Sequence, residues 1–146
     1  MAQANFPVFN SIGVIQLEFW TQKLVRIAGE QQKCLFDLAD LGVVLKTACP
    51  KIGKLDSPRV VRLKERLLVL QRERARVFQE FEHVGARLLD RETLEVVLEG
   101  GPEPGSWLSW QPGERHIAWW RASADSESER RLLPGFDLDD VRHIIH

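Results

Sequence analysis

The feature that most constrains this chain is a run of residues spaced alternately four and three apart, and it occurs twice. Gly13, Leu17, Trp20, Leu24, Ile27, Gln31, Cys34, Leu38, Leu41 and Leu45 keep the spacing in the first run, where only Gly13 and Gln31 are not apolar. Val60, Leu63, Leu67, Leu70, Arg74, Val77, Phe81, Val84 and Leu88 keep it in the second, with Arg74 the lone polar member. A seam repeating every 3.5 residues belongs to helices that pack along their length. Asn10 or Ser11 is the expected cap of the first helix, and the stretch 47–50, ending in Pro50, is its expected stop. Asp56 or Ser57 is a good cap for the second, with Pro58 in the first turn, where a missing N–H costs nothing.

The segment 46–55 (KTACPKIGKL) contains Pro and Gly and reads as the connection. A connection this short favours antiparallel neighbours. Folding there makes facing positions add to about 105 by seam geometry. Leu45 then faces Val60, Leu38 faces Leu67, Leu24 faces Phe81 and Leu17 faces Leu88. The same rule sets Gln31 opposite Arg74, so the two polar exceptions share a layer that penalises slipped pairings.

Beyond the helices the texture changes. Residues 94–98 (LEVVL) are β-prone, 100–105 (GGPEPG) form a loop, and 106–121 (SWLSWQPGERHIAWWR) read as two strands around Pro112-Gly113 in type II turn order. A tight turn pairs Leu108 with Ile117 and Trp110 with Arg115 on one face, and Trp107 with Ala118 and Ser109 with His116 on the other. A lone hairpin is marginal in water, so one face packs on the helices, with 94–98 a candidate third strand. A short echo, Leu41-Gly42-Val43 and Val84-Gly85-Ala86, follows each helical run and is too brief for a repeat. The expected class is α+β, mainly α, in a single domain: a long antiparallel helical hairpin over 11–90, a Trp-rich β-hairpin region over 94–122, a polar linker over 123–131 and a tail over 132–146. In the tail Asp137 caps a short helix exposing Phe136, Val141, Ile144 and Ile145. A chain of 146 residues buries roughly two thirds of its unfolded surface.

The charged fraction is 28% and the formal net charge −1, which argues against a nucleic-acid coat or an acidic solvating tail. Cys34 and Cys49 make no disulfide framework. Residues 1–10 lack a cationic region ahead of an apolar core, and no uncharged stretch approaches the ~20 residues of a membrane span, so a cytoplasmic location is expected. His83, His116, His143 and His146 show no zinc-type spacing, and the Gly-rich loop feeds a strand rather than a phosphate-binding helix. Ser109 opposite His116 has no glycine elbow beside it. No catalytic residue, cofactor or metal ligand is assigned.

Two clusters point to partners. Four of the five tryptophans lie within 107–120, and Trp107, Trp119 and Trp120 with Arg115 and Arg121 have the composition of an interface hot spot. The stretch 59–76 holds Arg59, Arg62, Lys64, Arg66, Arg72, Arg74 and Arg76 against Glu65 and Glu73. A basic helix neutralises phosphates. The flanking Glu80 and Glu82 and the lack of interleaved aromatics argue instead for a solvated face or one docked on an acidic partner.

Residues 82–121 also carry a family pattern. VGARLLDRETLEVVL followed by LSWQPGERHIAWWR resembles the bacterial family known as domain of unknown function 2203, in which a helix ending in an "LGVELKD"-like run precedes a strand and an "LCW..GE..I..WH" hairpin. Leu108, Trp110, Gly113, Glu114, Ile117 and Trp120 match in type and spacing, whereas Ser109 stands where that family has Cys and Arg121 where it has His. The resemblance implies an intracellular bacterial protein of helices plus a C-terminal hairpin, and it implies no activity.

The preferred expectation is a non-catalytic interaction or accessory protein, a subunit or assembly factor of a protein complex. Its docking set is Trp107, Trp119, Trp120, Arg115, Arg121, Phe136, Val141, Ile144 and Ile145, and its partner another protein or a second copy. The alternatives are a nucleic-acid-associated protein using 59–76, and a small ligand-binding protein or enzyme using Arg74, His83 or Ser109 with His116.

Overall fold

In a computed structural model of the chain, residues 2–46 and 49–138 are described, with side chains described from residue 13 onward. The class is α+β: the described residues form two helices, α1 (Ala2–Asp40) and α2 (Pro58–His83), then a five-stranded antiparallel sheet. Two compact units divide the chain, a helical unit of Gln22–Gln79 and a sheet unit of Met1–Thr21 with Glu80–His146. No helix among the described residues is long and apolar enough to cross a membrane.

In the helical unit the seam residues Ile27, Cys34 and Leu38 of α1 and Val60, Leu67 and Leu70 of α2 form one buried cluster, with Val43, Leu45 and Leu63 packed against it. Ser57 caps α2 through its hydroxyl, which accepts the Val60 N–H at 3.3 Å, and Pro58 opens the helix. The first helix differs from expectation at both ends. It begins at Ala2 rather than near residue 11, and it stops at Asp40, well before 47–50. The stop is a glycine cap: Gly42 at φ +79° donates to the Ala39 carbonyl and Val43 donates to Leu38. That pair of bonds satisfies helix-end carbonyls through a left-handed residue. Gly85, at φ +71° with its N–H on Glu82 O, ends α2 by the same device. The Leu41-Gly42-Val43 and Val84-Gly85-Ala86 echo is thus cap chemistry.

The pairing within this unit is also offset. Arg26 meets Glu73 and Glu30 meets Arg66, so facing positions add to 96–99 instead of about 105. Gln31 and Arg74 therefore do not form a layer. Arg74 lies over the ring of Phe78, one turn along its own helix, and Gln31 is half-buried.

The sheet is a meander of β1 (Ala86–Asp90), β2 (Glu95–Glu99), β3 (Trp107–Trp110), β4 (Trp119–Arg121) and β5 (Arg131–Leu132) in sequential order. The second seam run was expected to stay helical to Leu88; instead Leu88 pairs with Val96 in β1. The type II turn stands where expected, with Gly113 at φ +98° and Glu114 N–H on Gln111 O. The strand after it does not. Leu108 faces Trp120 and Ser109 faces Trp119, three positions from the expected register. An odd slip exchanges the faces of every residue on the strand. The cause is that 115–118 follow the turn outside any strand, with Ile117 and Ala118 buried and the Ala118 carbonyl accepting the Leu133 N–H at 2.8 Å, before β4 starts. The expected linker is structured too, since it leads into β5, where Leu132 pairs with Trp119 and Arg131 with Trp120. Val141, Ile144 and Ile145 lie outside the described residues, as does the expected terminal helix beyond Leu138.

In this sheet Ala86, Val96, Leu98, Leu108, Trp110 and Trp120 fall on one face by register and are all buried. The other face carries Glu95, Val97, Ser109, Trp119 and Arg121. Elsewhere in the same unit, Trp20 meets Phe81 edge-on at 4.9 Å and its Nε1 donates to Glu80.

Candidate functional site

The polar face of the sheet is built around Glu95, which is only 2% exposed. A carboxylate withdrawn that far from water needs several donors to remain ionised. It has four: Arg121 Nε at 2.7 Å and Nη2 at 2.9 Å, Ser109 Oγ at 2.5 Å and Gln111 Nε2 at 3.2 Å. Burial pushes the Glu95 carboxyl up, and the hydrogen bonds from Arg121, Ser109 and Gln111 outweigh it, so the group titrates below its ordinary value. Both hydrogen-bonding roles of the Ser109 hydroxyl are filled, as it donates to Glu95 and accepts from Arg130 Nε at 2.8 Å.

Arg130 extends the network. Its Nη1 reaches Glu114 Oε2 at 2.7 Å and its Nη2 reaches Glu114 Oε1 at 2.5 Å, a bidentate pair, while its guanidinium lies 5.0 Å from the Trp119 ring centroid. Glu114 in turn accepts the Gln111 N–H at 2.7 Å and takes the Trp110 indole N–H on its carbonyl at 2.9 Å. Arg121 also donates to the carbonyls of Ser126 and Ser128. Two carboxylates and two guanidiniums thereby fasten the 122–130 segment to the sheet. The Trp119 indole N–H is buried without a partner. With Glu95, Ser109, Glu114, Arg121 and Arg130 bonded to one another or to the 122–130 backbone, this network orders a segment.

A second feature lies in the helical unit. Because α1 ends early, Leu41 leaves the seam and becomes exposed, joined in the 41–55 connection by Val44, Ile52 and a fully exposed Leu55. The connection is held in shape from beneath. The buried Lys64 ammonium donates to Lys51 O and to Asp56 Oδ2, both at 2.8 Å, and Asp56 Oδ2 accepts the Gly53 N–H at 2.7 Å. The hydrogen bond from Lys64, then that from Gly53, holds the Asp56 carboxyl below its ordinary value.

A third is the outer face of α2. Arg59, Arg62, Arg66, Arg72 and Arg76 are exposed there at near-helical spacing. Of these only Arg66 has an ion pair, to Glu30 at 2.6 Å, among the described residues.

Several sequence candidates are not brought together. Ser109 lies across from Trp119 and is buried, while His116 is exposed with its ring 5.9 Å from Phe136. His83 is exposed at the end of α2. Cys34 is buried in the helical core, where burial pushes its thiol up; Cys49 is exposed and donates to Gln71. No group of three metal-binding side chains occurs among the described residues. In the expected docking set Trp120 and Arg121 are buried within the sheet, Trp107, Trp119 and Phe136 are half-buried, and Arg115 is exposed. Glu95, Glu114 and Arg130 were missed because their partners are set by strand register. The exposed connection was missed because Leu41 fits the seam on paper; Gly42 was the available signal.

Fold and site thus define an α+β protein whose buried charges are consumed internally, Glu95, Glu114 and Arg121 in the sheet unit and Lys64 in the helical unit. No protein-family model matches the sequence, and neither curated proteins nor solved structures offer a match.

Proposed function

We propose that the protein is a non-catalytic interaction module, an accessory subunit or assembly factor with a helical hairpin as scaffold. It docks on a protein partner, in a hetero-complex or as a homodimer, through the apolar connection of that hairpin. The observation that carries this reading is where apolar side chains meet solvent. Of twelve exposed large apolar residues among the described ones, eight lie in the helical unit, and Leu41, Val44, Ile52 and Leu55 share the 41–55 connection. Apolar side chains exposed together along one short connection point to an interaction surface more than scattered ones do. The half-buried Trp107 and Trp119 are a secondary contact, without Trp120 and Arg121. Kinship with domain of unknown function 2203 belongs to the same proposal. Ser109 and Arg121, where the hairpin departs from that family, both donate to Glu95 Oε2, which supports a structural use of the two positions here.

The test is native mass spectrometry of the protein purified gently from its host, beside a Val44→Ser/Leu55→Ser variant. Val44 is 82% and Leu55 100% exposed, so the variant retains its fold, checked by thermal melting. The wild type is expected to carry a second chain that the variant lacks. A bare wild type, or a variant carrying the same partner, sinks the reading.

A further inference from the structure

The formal net charge of −1 conceals a segregation. The helical unit, Gln22–Gln79, contains thirteen Lys and Arg against six Asp and Glu, a formal charge of +7; the remainder contains seven against fifteen, a formal charge of −8. Within the helical unit the excess is concentrated on one helix. Its inward cations are consumed, with Lys64 on Asp56 and Arg74 against Phe78. Its outward ones are not: Arg59, Arg62, Arg72 and Arg76 are exposed without an ion pair to any described residue. At 1.5 Å per residue, 59 to 76 spans about 26 Å of helix. The acids nearby compensate little, because Glu73 is paired with Arg26 and only Glu65 stands exposed among the arginines.

We infer that the outer face of α2 binds the phosphodiester backbone of a nucleic-acid duplex, without reading sequence. Three observations select this occupant, and none depends on the 41–55 connection. First, the unpaired cations are all arginines, whose planar forks bond phosphate oxygens in pairs. Second, the face lacks what a protein interface is built on. Protein hot spots set arginine among aromatic and apolar anchors, and Val69 is the one exposed large apolar side chain on α2. Third, α2 exposes no Phe, Tyr or Trp for bases to stack on, and its one exposed imidazole, His83, lies at the helix end beyond the arginines, which favours a duplex backbone over a single strand. A duplex presents one charge per ~1.7 Å of axis, which a row of cations matches without base contacts.

The experiment is fluorescence anisotropy of a labelled mixed-sequence DNA duplex titrated with the full-length protein at increasing potassium chloride. The wild type is compared with Arg59→Gln/Arg62→Gln/Arg72→Gln/Arg76→Gln, and thermal melting verifies that both are folded. The wild type is expected to bind at low salt, with log affinity falling against log salt at a slope of about −3 to −4. The variant is expected to lose at least about tenfold at low salt, and its slope to flatten. Absence of wild-type binding at low salt, or equal binding by the variant, overturns the inference. Two other results overturn it in favour of a different occupant. Equal affinity for polyglutamate assigns the face to an acidic protein. DNA-independent, salt-sensitive self-association in sedimentation, abolished by the same substitutions, assigns it to a second copy.

Discussion

The helical and sheet units both bury an apolar interior, and they differ in how far carboxylates are drawn into it. In the helical unit the interior is an apolar seam, and the ion pairs Arg26–Glu73 and Glu30–Arg66 sit at its solvent-facing margin. In the sheet unit a bidentate ion pair lies inside, with Glu95 and Arg121 both buried and Ser109 and Gln111 completing the shell. Exposed pairs are screened by water and salt and contribute little, whereas a buried pair cannot lose one member without stranding the other. The difference teaches where each unit is vulnerable: both to lost volume, and the sheet unit to lost charge balance as well.

The largest expected effect breaks that balance. Arg121→Met strands the Glu95 carboxylate and releases two anchors of the 122–130 segment, and it should destabilise the protein by about 3–5 kcal/mol. Adding Glu95→Leu should recover part of that loss in a double-mutant cycle read by chemical denaturation; purely additive effects would mean the pair is not coupled. Next, Leu70→Ala empties a fully buried seam position and should cost about 2–5 kcal/mol by the same measurement. Unlike the first, this loss should be insensitive to pH.

Acid titration sharpens the contrast. Glu95 titrates below its reference value of 4.5 in the folded state, so its contribution is complete above about that pH and disappears as pH falls through the lower folded value. The stability advantage of the wild type over Glu95→Gln should therefore be constant from pH 7 to about 5 and shrink toward pH 2. An advantage that grows on acidification would contradict the assigned direction.

The smallest effect concerns the β1–β2 connection. Leu94 adopts φ +60°, a conformation that penalises a side chain and suits glycine. Leu94→Gly should be neutral or stabilise by up to about 1 kcal/mol, despite removing a large residue. A loss of several kcal/mol would show that its packing outweighs its backbone strain.

Much of this molecule was legible residue by residue. The spacing of four and three picked out Leu17, Trp20, Leu24, Ile27, Cys34 and Leu38 on α1 and Val60, Leu67, Leu70, Val77 and Phe81 on α2, all buried. The Ser57 cap, Pro58 and the type II turn at Pro112-Gly113 were legible because each is decided within a few residues. The extent of the seam was not. Leu41, Val84 and Leu88 keep the spacing although glycine caps at Gly42 and Gly85 end the helices before them. Periodicity records which face is apolar, and it does not record where the backbone stops being helical.

What the sequence alone determined is therefore the local code: two apolar seams, the start of α2, the turn, and the total of charges. What only the tertiary structure decided is pairing. The three-residue register slip puts Arg121 on the same face as Glu95 and Ser109, and brings β5 beside β4. The partition of a net charge of −1 into +7 and −8 likewise follows from which residues share a unit. The physical reason is common to both. Hydrogen bonds and ion pairs act over a few ångströms between residues tens of positions apart. Their partners exist only once the chain has folded back on itself, and propensities confined to one turn or one strand carry no information about them.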